Sequence, residues 1–295
     1  MTPTAVLEKR QSPSASTKPY RLASRESHPD DTVVHVGGVP IGGRDIVVIA
    51  GPCAIESEQQ LMDAAIAARR AGARILRGGA YKPRTSPYDF QGLGEPGLEM
   101  LAEAGRIAGM PVITEVVDSE DVELVARHSD ILQIGSRNMS AFRLLARAAE
   151  TGKPVMVKRG FQATIKEWLL SAEYVLSHGN EHVILCERGI RTFDSEYTRN
   201  TLDLNAVPVL KRETHLPVIV DPSHGTGRAD LVATMSRGAI AVGADGLMIE
   251  MHPNPAEALC DGKQSIDPSG LAHLIAEILP IATAVGRHVY ASAAR

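Results

Sequence analysis

Eight short runs of aliphatic and β-branched residues recur through the chain, at 46–50, 74–77, 111–115, 131–135, 154–158, 182–186, 217–221 and 246–250. Each run is mostly apolar rather than alternating, the pattern of a parallel strand buried on both faces. Longer stretches with helical periodicity lie between them; in the first, Leu61, Ala64, Ala65 and Ala68 make one apolar face. Ser57 with Gln60 and Thr164 with Glu167 read as capping boxes, and Ser119 and Ser140 as further N-caps. Gly72 and Gly152 stand where helices end. A last helix is predicted at about 270–286, after the eighth run. Eight strand–helix units at even spacing predict a (β/α)8 TIM barrel rather than a doubly wound open sheet.

The barrel is assigned to residues 46–288 of 295. Residues 1–32 are rich in Ser, Pro and charge and are predicted to be disordered. Residues 33–45, with Gly37-Gly38 at their centre, predict a small hairpin extension, and 289–295 a short tail. These flanks are too small or too polar for a regulatory domain, so the rate is expected to be indifferent to aromatic amino acids. There is no apolar run long enough for a membrane helix and no secretory leader, so no membrane partner is expected. Cys53, Cys186 and Cys260 lie far apart, which is no disulfide framework and points to a reduced cytoplasm. A net charge of −4 argues against a nucleic-acid partner.

In such a barrel the active site lies at the C-terminal ends of the strands. The eight ends here supply Cys53, Arg77, Glu115, Arg137, Lys158, Arg188, His224 and Glu250. Each alone reads as an exposed loop charge; together they predict a catalytic pocket. Arg77, Lys82, Arg84, Arg137, Lys158 and Arg188 form a cationic set that calls for anionic ligands, suggesting two phosphorylated substrates. Surface ion pairing instead suits Arg74 and Arg106. Cys53, His224 and Glu250, with Asp261 in the following loop, combine thiolate, imidazole and carboxylate, a donor mixture suited to Mn²⁺, Fe²⁺, Co²⁺ or Zn²⁺. Cys260 is a rival ligand, and Cys186 reads as core. Gly92 to Gly97 matches G-x-G-x-x-G but does not run directly from a strand into a helix, so a dinucleotide reading is discounted.

The segments Ile-Ala-Gly-Pro-Cys-Ala-Ile-Glu-Ser (49–57), Arg-Gly-Gly-Ala-Tyr-Lys-Pro-Arg-Thr-Ser-Pro (77–87), Gly-Ser-Arg-Asn-Met (135–139), Val-Lys-Arg-Gly (157–160), Glu-Arg-Gly (187–189), Asp-Pro-Ser-His-Gly (221–225) and Met-Ile-Glu (248–250) resemble the β subgroup of type I 3-deoxy-7-phosphoheptulonate synthases. The resemblance covers about residues 33–285. It implies a metal-dependent transferase that condenses phosphoenolpyruvate with erythrose 4-phosphate, opening the shikimate route to aromatic amino acids, in a cytoplasmic homodimer or homotetramer. It implies that Arg77, Lys82, Arg137, Lys158 and Arg188 hold phosphoenolpyruvate. Arg84, Thr85 and Ser86 resemble the cradle for the erythrose phosphate. Cys53, His224, Glu250 and Asp261 match the metal ligands. Glu115 is near the place expected to handle water, and Lys82 is a candidate proton carrier. Three other readings compete: the sister octulosonate 8-phosphate synthase using arabinose 5-phosphate, a Schiff-base aldolase built on Lys158, and a non-catalytic phosphate-binding barrel.

Overall fold

The computed structural model describes residues 17–84 and 86–290. Strands β1 (Val34–Val36) and β2 (Val39–Ile41) form an antiparallel hairpin, and Gly37 and Gly38 turn it with φ of 53° and 81°. Two consecutive left-handed residues are what a tight hairpin demands and what glycine supplies without strain.

The parallel strands follow: β3 (Asp45–Gly51), β4 (Ile75–Arg77), β5 (Val112–Glu115), β6 (Ile131–Ile134), β7 (Val155–Lys158), β8 (Val183–Glu187), β9 (Val218–Val220) and β10 (Gly246–Glu250). They pair in sequence order, and β10 pairs back to β3, with Gly246 opposite Val47 and Glu250 opposite Gly51. The eight strands therefore close a barrel, and each lies within one residue of its predicted bounds. The intervening helices include α1 (Glu58–Ala71), α2 (Glu95–Ala108), α3 (Val122–His128), α4 (Phe142–Glu150), α5 (Ile165–Ser177), α6 (Ala206–Glu213), α7 (Pro222–Thr226), α8 (Ala229–Ala241) and α9 (Pro268–Ala284).

Alternate residues of each strand divide the core in two. Ile46, Val48, Leu76, Val112, Leu132, Val155 and Leu185 face outward into the layer shared with the helices. Val47, Ile49, Ile75, Ile113, Ile131, Met156, Ile184, Cys186, Ile219 and Met248 fill the interior. Val34, Val36, Val39 and Ile41 of the hairpin join that inner cluster and plug the bottom of the barrel. Strand β11 (His288–Val289) adds to β3 at the same end, and Tyr290 donates its hydroxyl to Gly38 O.

Several local expectations need correction. Residues 17–32 are not disordered: Glu173 of α5 accepts the backbone N–H groups of Leu22 and Ala23, and Glu213 of α6 accepts from Lys18 and Tyr20. The segment docks by these polar contacts together with Tyr20 and Ala23, which are buried in the outer core. Residues 1–16, also expected to be disordered, lie outside the described residues. The Thr164–Glu167 capping box forms in full. Ser57 caps Gln60 N, but Gln60 reaches back to Glu56 N rather than to the cap itself. Ser119 and Ser140 are not caps; α3 and α4 start after Asp121 and Ala141, without side-chain capping. Helix α9 begins two residues before its predicted start because Asp267 accepts from Gly270 N and Pro268 fills the first turn. Arg106 pairs with Glu103 as expected, whereas Arg74 donates to Ala73 O. The Gly92–Gly97 run joins the loop after β4 to the first turn of α2, with Gly94 at the helix N-cap; a Cβ on Gly92 would lie 2.1 Å from Ala80 O.

Candidate active site

The strand ends converge on one mouth. An outer cavity of about 270 Å³ is lined by Lys82, Arg84, Glu115, Arg137, Arg188, Arg199, His224 and Asp261, among others. A smaller inner cavity is bordered by Arg77, Lys82, Gln133, Ser136, Lys158 and Phe161. Arg77, Lys158 and Arg188 are buried, although an isolated buried cation is costly. Lys158 is offset by Asp221, Nζ to Oδ2 2.6 Å. Arg77 Nη2 lies 3.0 Å from Glu250 Oε1, while Arg77 Nη1 is buried with no partner among the described residues. Ser136 Oγ, bordering the same cavity, is also buried and unpaired. Unsatisfied donors beside a cavity are what an anionic ligand completes. Gln133 donates to Glu115, and Gly135 makes room for that carboxylate, since a Cβ there would lie 2.0 Å from Glu115 Oε1.

Beside the cations, one donor atom each from Cys53, His224, Glu250 and Asp261 lies within 4.8 Å of all the others. The donors come from the ends of β3 and β10, from α7 and from the loop after β10, so only barrel closure assembles them. Asp221 N-caps the short α7 through His224 N and also accepts from His224 Nδ1 at 2.7 Å. That bond fixes the tautomer and leaves Nε2 facing Glu250 Oε1 at 3.2 Å and Asp261 Oδ2 at 4.0 Å. A carboxylate behind an imidazole is the usual support of a metal-binding histidine. Glu250 Oε1 has no hydrogen bond, which leaves it a free lone pair. The set fits a divalent transition metal by donor chemistry and spacing.

The electrostatics favour the ligating form of His224, Glu250 and Asp261, whereas the hydrogen bond with Cys260 and burial push the Cys53 thiol up. Burial, working against the pull of Asp221 and Glu250, lowers the pKa of His224 and so favours the neutral ring that a ligand needs. Burial would raise Asp261, but His224, Arg199 and Lys82 outweigh it and hold the carboxyl at about 2. Asp221 is likewise held well below the usual carboxylate range, burial being overcome by His224 and Lys158. Burial works against the charge on Lys82, but Cys53, Cys260 and Glu250 raise its pKa overall. Lys82 Nζ sits 3.1 Å from Cys53 Sγ. The two sulfurs of Cys53 and Cys260 are 3.2 Å apart. The hydrogen bond from Cys53, followed by the charges of Lys82 and Arg84, holds Cys260 down at about 7.

All the predicted strand-end residues therefore reach the site, and Arg84 reaches it by donating Nη1 to Cys260 Sγ while pairing with Asp89. Ser86 Oγ instead accepts from Tyr88 N within its own turn. Thr85 lies outside the described residues. Sequence reasoning missed Asp221, Arg199, Gln264 and Phe161. The i, i+3 spacing of Asp221 and His224 on a short helix was a readable signal. Arg199, which donates to Asp261 and Gln264, arises from a long loop with no strand end to mark it. Gln264 donates in turn to Glu250.

Fold and site together define a class: a (β/α)8 barrel whose mouth joins an anion pocket to a thiol–imidazole–carboxylate donor set. The chain belongs to the DAHP synthetase I family, whose model matches residues 24–280. It is 55% identical over 269 residues to the phospho-2-dehydro-3-deoxyheptonate aldolase of Thermotoga maritima, covering 91% of this chain and 79% of the relative. A 2-dehydro-3-deoxyphosphooctonate aldolase from a Geobacter species is 34% identical, covering 84% and 96% of the two chains. The crystal structure of the Thermotoga DAHP synthase superposes with a TM-score of 0.89 at 53% identity, covering 92% of this chain and 79% of that one. A truncated form of 3-deoxy-D-arabino-heptulosonate 7-phosphate synthase from the same organism gives 0.86 at 50% identity, covering 92% and 99%.

Proposed function

We propose that this chain catalyses the 3-deoxy-7-phosphoheptulonate synthase reaction, the aldol-type condensation of phosphoenolpyruvate with erythrose 4-phosphate that releases phosphate. The observation that carries the reading is the four-donor cluster of Cys53, His224, Glu250 and Asp261 set against a cationic pocket with unsatisfied donors. In this reaction C3 of phosphoenolpyruvate bonds to the aldehyde carbon, water adds at C2, and the C2–O bond to phosphate breaks. Arg77, Lys82, Arg137, Lys158 and Arg188 are assigned to the carboxylate and phosphate of phosphoenolpyruvate, whose negative charges they offset. Arg84, with Thr85 and Ser86, is assigned to the erythrose phosphate. Glu115 is assigned to the incoming water, and Lys82, adjacent to Cys53, to proton transfer. Cys53, His224, Glu250 and Asp261 would hold a divalent ion such as Mn²⁺, Co²⁺, Fe²⁺ or Zn²⁺, which supplies a Lewis acid for the aldehyde oxygen.

A covalent route through Lys158 is disfavoured, because its amine is held in a buried ion pair with Asp221. The octulosonate alternative is disfavoured by the Lys82–Ser86 loop sequence and by the lower identity to that class, 34% against 55%. The three described cysteines are all free, which supports a reducing cytoplasm, and a homodimer or homotetramer is the expected assembly, checked by sedimentation. The deciding experiment follows phosphate release from phosphoenolpyruvate with erythrose 4-phosphate or arabinose 5-phosphate, with and without chelator. Rapid turnover of erythrose 4-phosphate, abolished by EDTA and restored by Mn²⁺ or Co²⁺, is expected. Faster turnover of arabinose 5-phosphate would give the assignment to the sister enzyme.

A further inference from the structure

The strand-end cations fall into two electrostatic groups. Arg77, Lys82, Lys158 and Arg84 each lie against a carboxylate or a thiol. Arg137 and Arg188 do not: neither has a carboxylate within ion-pair distance among the described residues. What they have instead is the ring of Phe161. The guanidinium carbon of Arg188 is 4.8 Å from the ring centroid, that of Arg137 is 5.5 Å, and that of Arg191 is 4.7 Å. Three guanidinium groups around one ring need a common attraction, and the negative face of the ring's quadrupole supplies it.

Phe161 occupies the loop between β7 and α5, and its carbonyl accepts the backbone N–H of Arg191 at 2.7 Å. The ring therefore sits between the loops that follow β7 and β8 and borders the inner cavity with both Arg137 and Arg188. A carboxylate in that place would hold the arginines equally well. It would also cancel their charge and occupy the N–H donors that an anion needs. An aromatic face orients a guanidinium while leaving its charge and its in-plane donors available.

We propose that Phe161 is a positioning residue for phosphoenolpyruvate: its ring presents Arg137 and Arg188 to the anion as a fork that no carboxylate among the described residues pairs at ion-pair distance. This rests on the proposed function, and it acts on the binding of one substrate rather than on the chemical step.

The test compares Phe161→Leu, which keeps apolar bulk without a π face, with Phe161→Tyr, which restores the face. Steady-state kinetics are measured with both substrates, and phosphoenolpyruvate binding by calorimetric titration of the metal-loaded protein without aldose. In Phe161→Leu, KM and Kd for phosphoenolpyruvate should rise about tenfold while kcat and KM for erythrose 4-phosphate stay within about twofold. Phe161→Tyr should return both constants to near the wild-type values. The proposal is overturned if Phe161→Leu binds phosphoenolpyruvate as the wild type does, if the tyrosine variant is equally weak, or if kcat falls with KM unchanged. Should Phe161→Leu lose its circular-dichroism melt, Phe161→Met enters the same comparison with the same criteria. If the wild type binds phosphoenolpyruvate but makes no product with erythrose 4-phosphate, the proposed function fails; the titration still decides the role of Phe161.

Discussion

The two ends of the barrel are built from the same strands and have opposite chemistry. At the bottom, Val34, Val36, Val39 and Ile41 of the hairpin press into Val47, Ile75, Ile113 and Ile131, all buried and apolar. At the top, a few residues further along the same strands, the side chains are Arg77, Glu115, Lys158 and Glu250. One end is a closed core and the other an array of charges arranged around cavities. The difference separates packing residues from charged residues along each strand, and it predicts that each half can be altered with little effect on the other.

The largest expected effect lies at the top. Cys53→Ala or His224→Ala should lower metal-dependent kcat/KM by about 10³ or more, roughly 4 kcal/mol, and reduce bound metal measured by atomic emission. The thermal midpoint of the metal-free protein should hardly move; a matching collapse of that midpoint would break the comparison. The next effect lies at the bottom. Ile41→Ala empties part of the hairpin plug and should cost about 2–5 kcal/mol of unfolding free energy in denaturant titration, with both KM values unchanged. A large loss of activity in the folded variant would mean that the two ends are coupled.

A smaller effect sharpens the top itself. Arg84→Ala should raise KM for erythrose 4-phosphate far more than KM for phosphoenolpyruvate, because it removes a charged phosphate contact worth about 1.5–3 kcal/mol. The smallest effect concerns the docked N-terminal segment. His215 accepts from Thr32 Oγ1 and donates Nε2–H to Leu22 O, and burial holds its pKa below the usual 6.5. Between its folded and unfolded pKa values the unfolded chain binds more protons. Its contribution is therefore present in full above about pH 6.5 and falls as the pH drops below that value. The melting temperature of the wild type should fall between about pH 7.5 and about pH 5.5, and that of His215→Gln should fall less.

Much of this was legible in the sequence because parallel strands buried on both faces leave continuous apolar runs, and the last residue of a run marks the mouth. That rule finds Arg77, Lys158 and Glu250 with no structure in hand. Applied to the run 217–221 it also marks Asp221, which the sequence reading passes over for His224; it does not find Arg199, Gln264 or Phe161, whose roles depend on loops meeting in space. The docked segment 17–32 was misread for a related reason. The backbone N–H groups of Leu22 and Ala23 are satisfied by Glu173, the latter a contact 150 residues away in sequence that no local pattern encodes. The unused caps at Ser119 and Ser140 show how weak a single capping residue is as a boundary signal when the following turns decide otherwise.

The pairing of β3 with β10 has a consequence for how the chain assembles. β3 is made early, yet one of its edges finds its partner only when residues 246–250 exist. Until residues 246–250 have emerged from the ribosome, that edge carries unpaired N–H and C=O groups. Loop closure over such a separation is slow compared with forming the individual βα units. The cluster of Cys53 with Glu250 and Asp261 therefore forms only as β10 closes on β3, so a complete metal site reports a closed barrel.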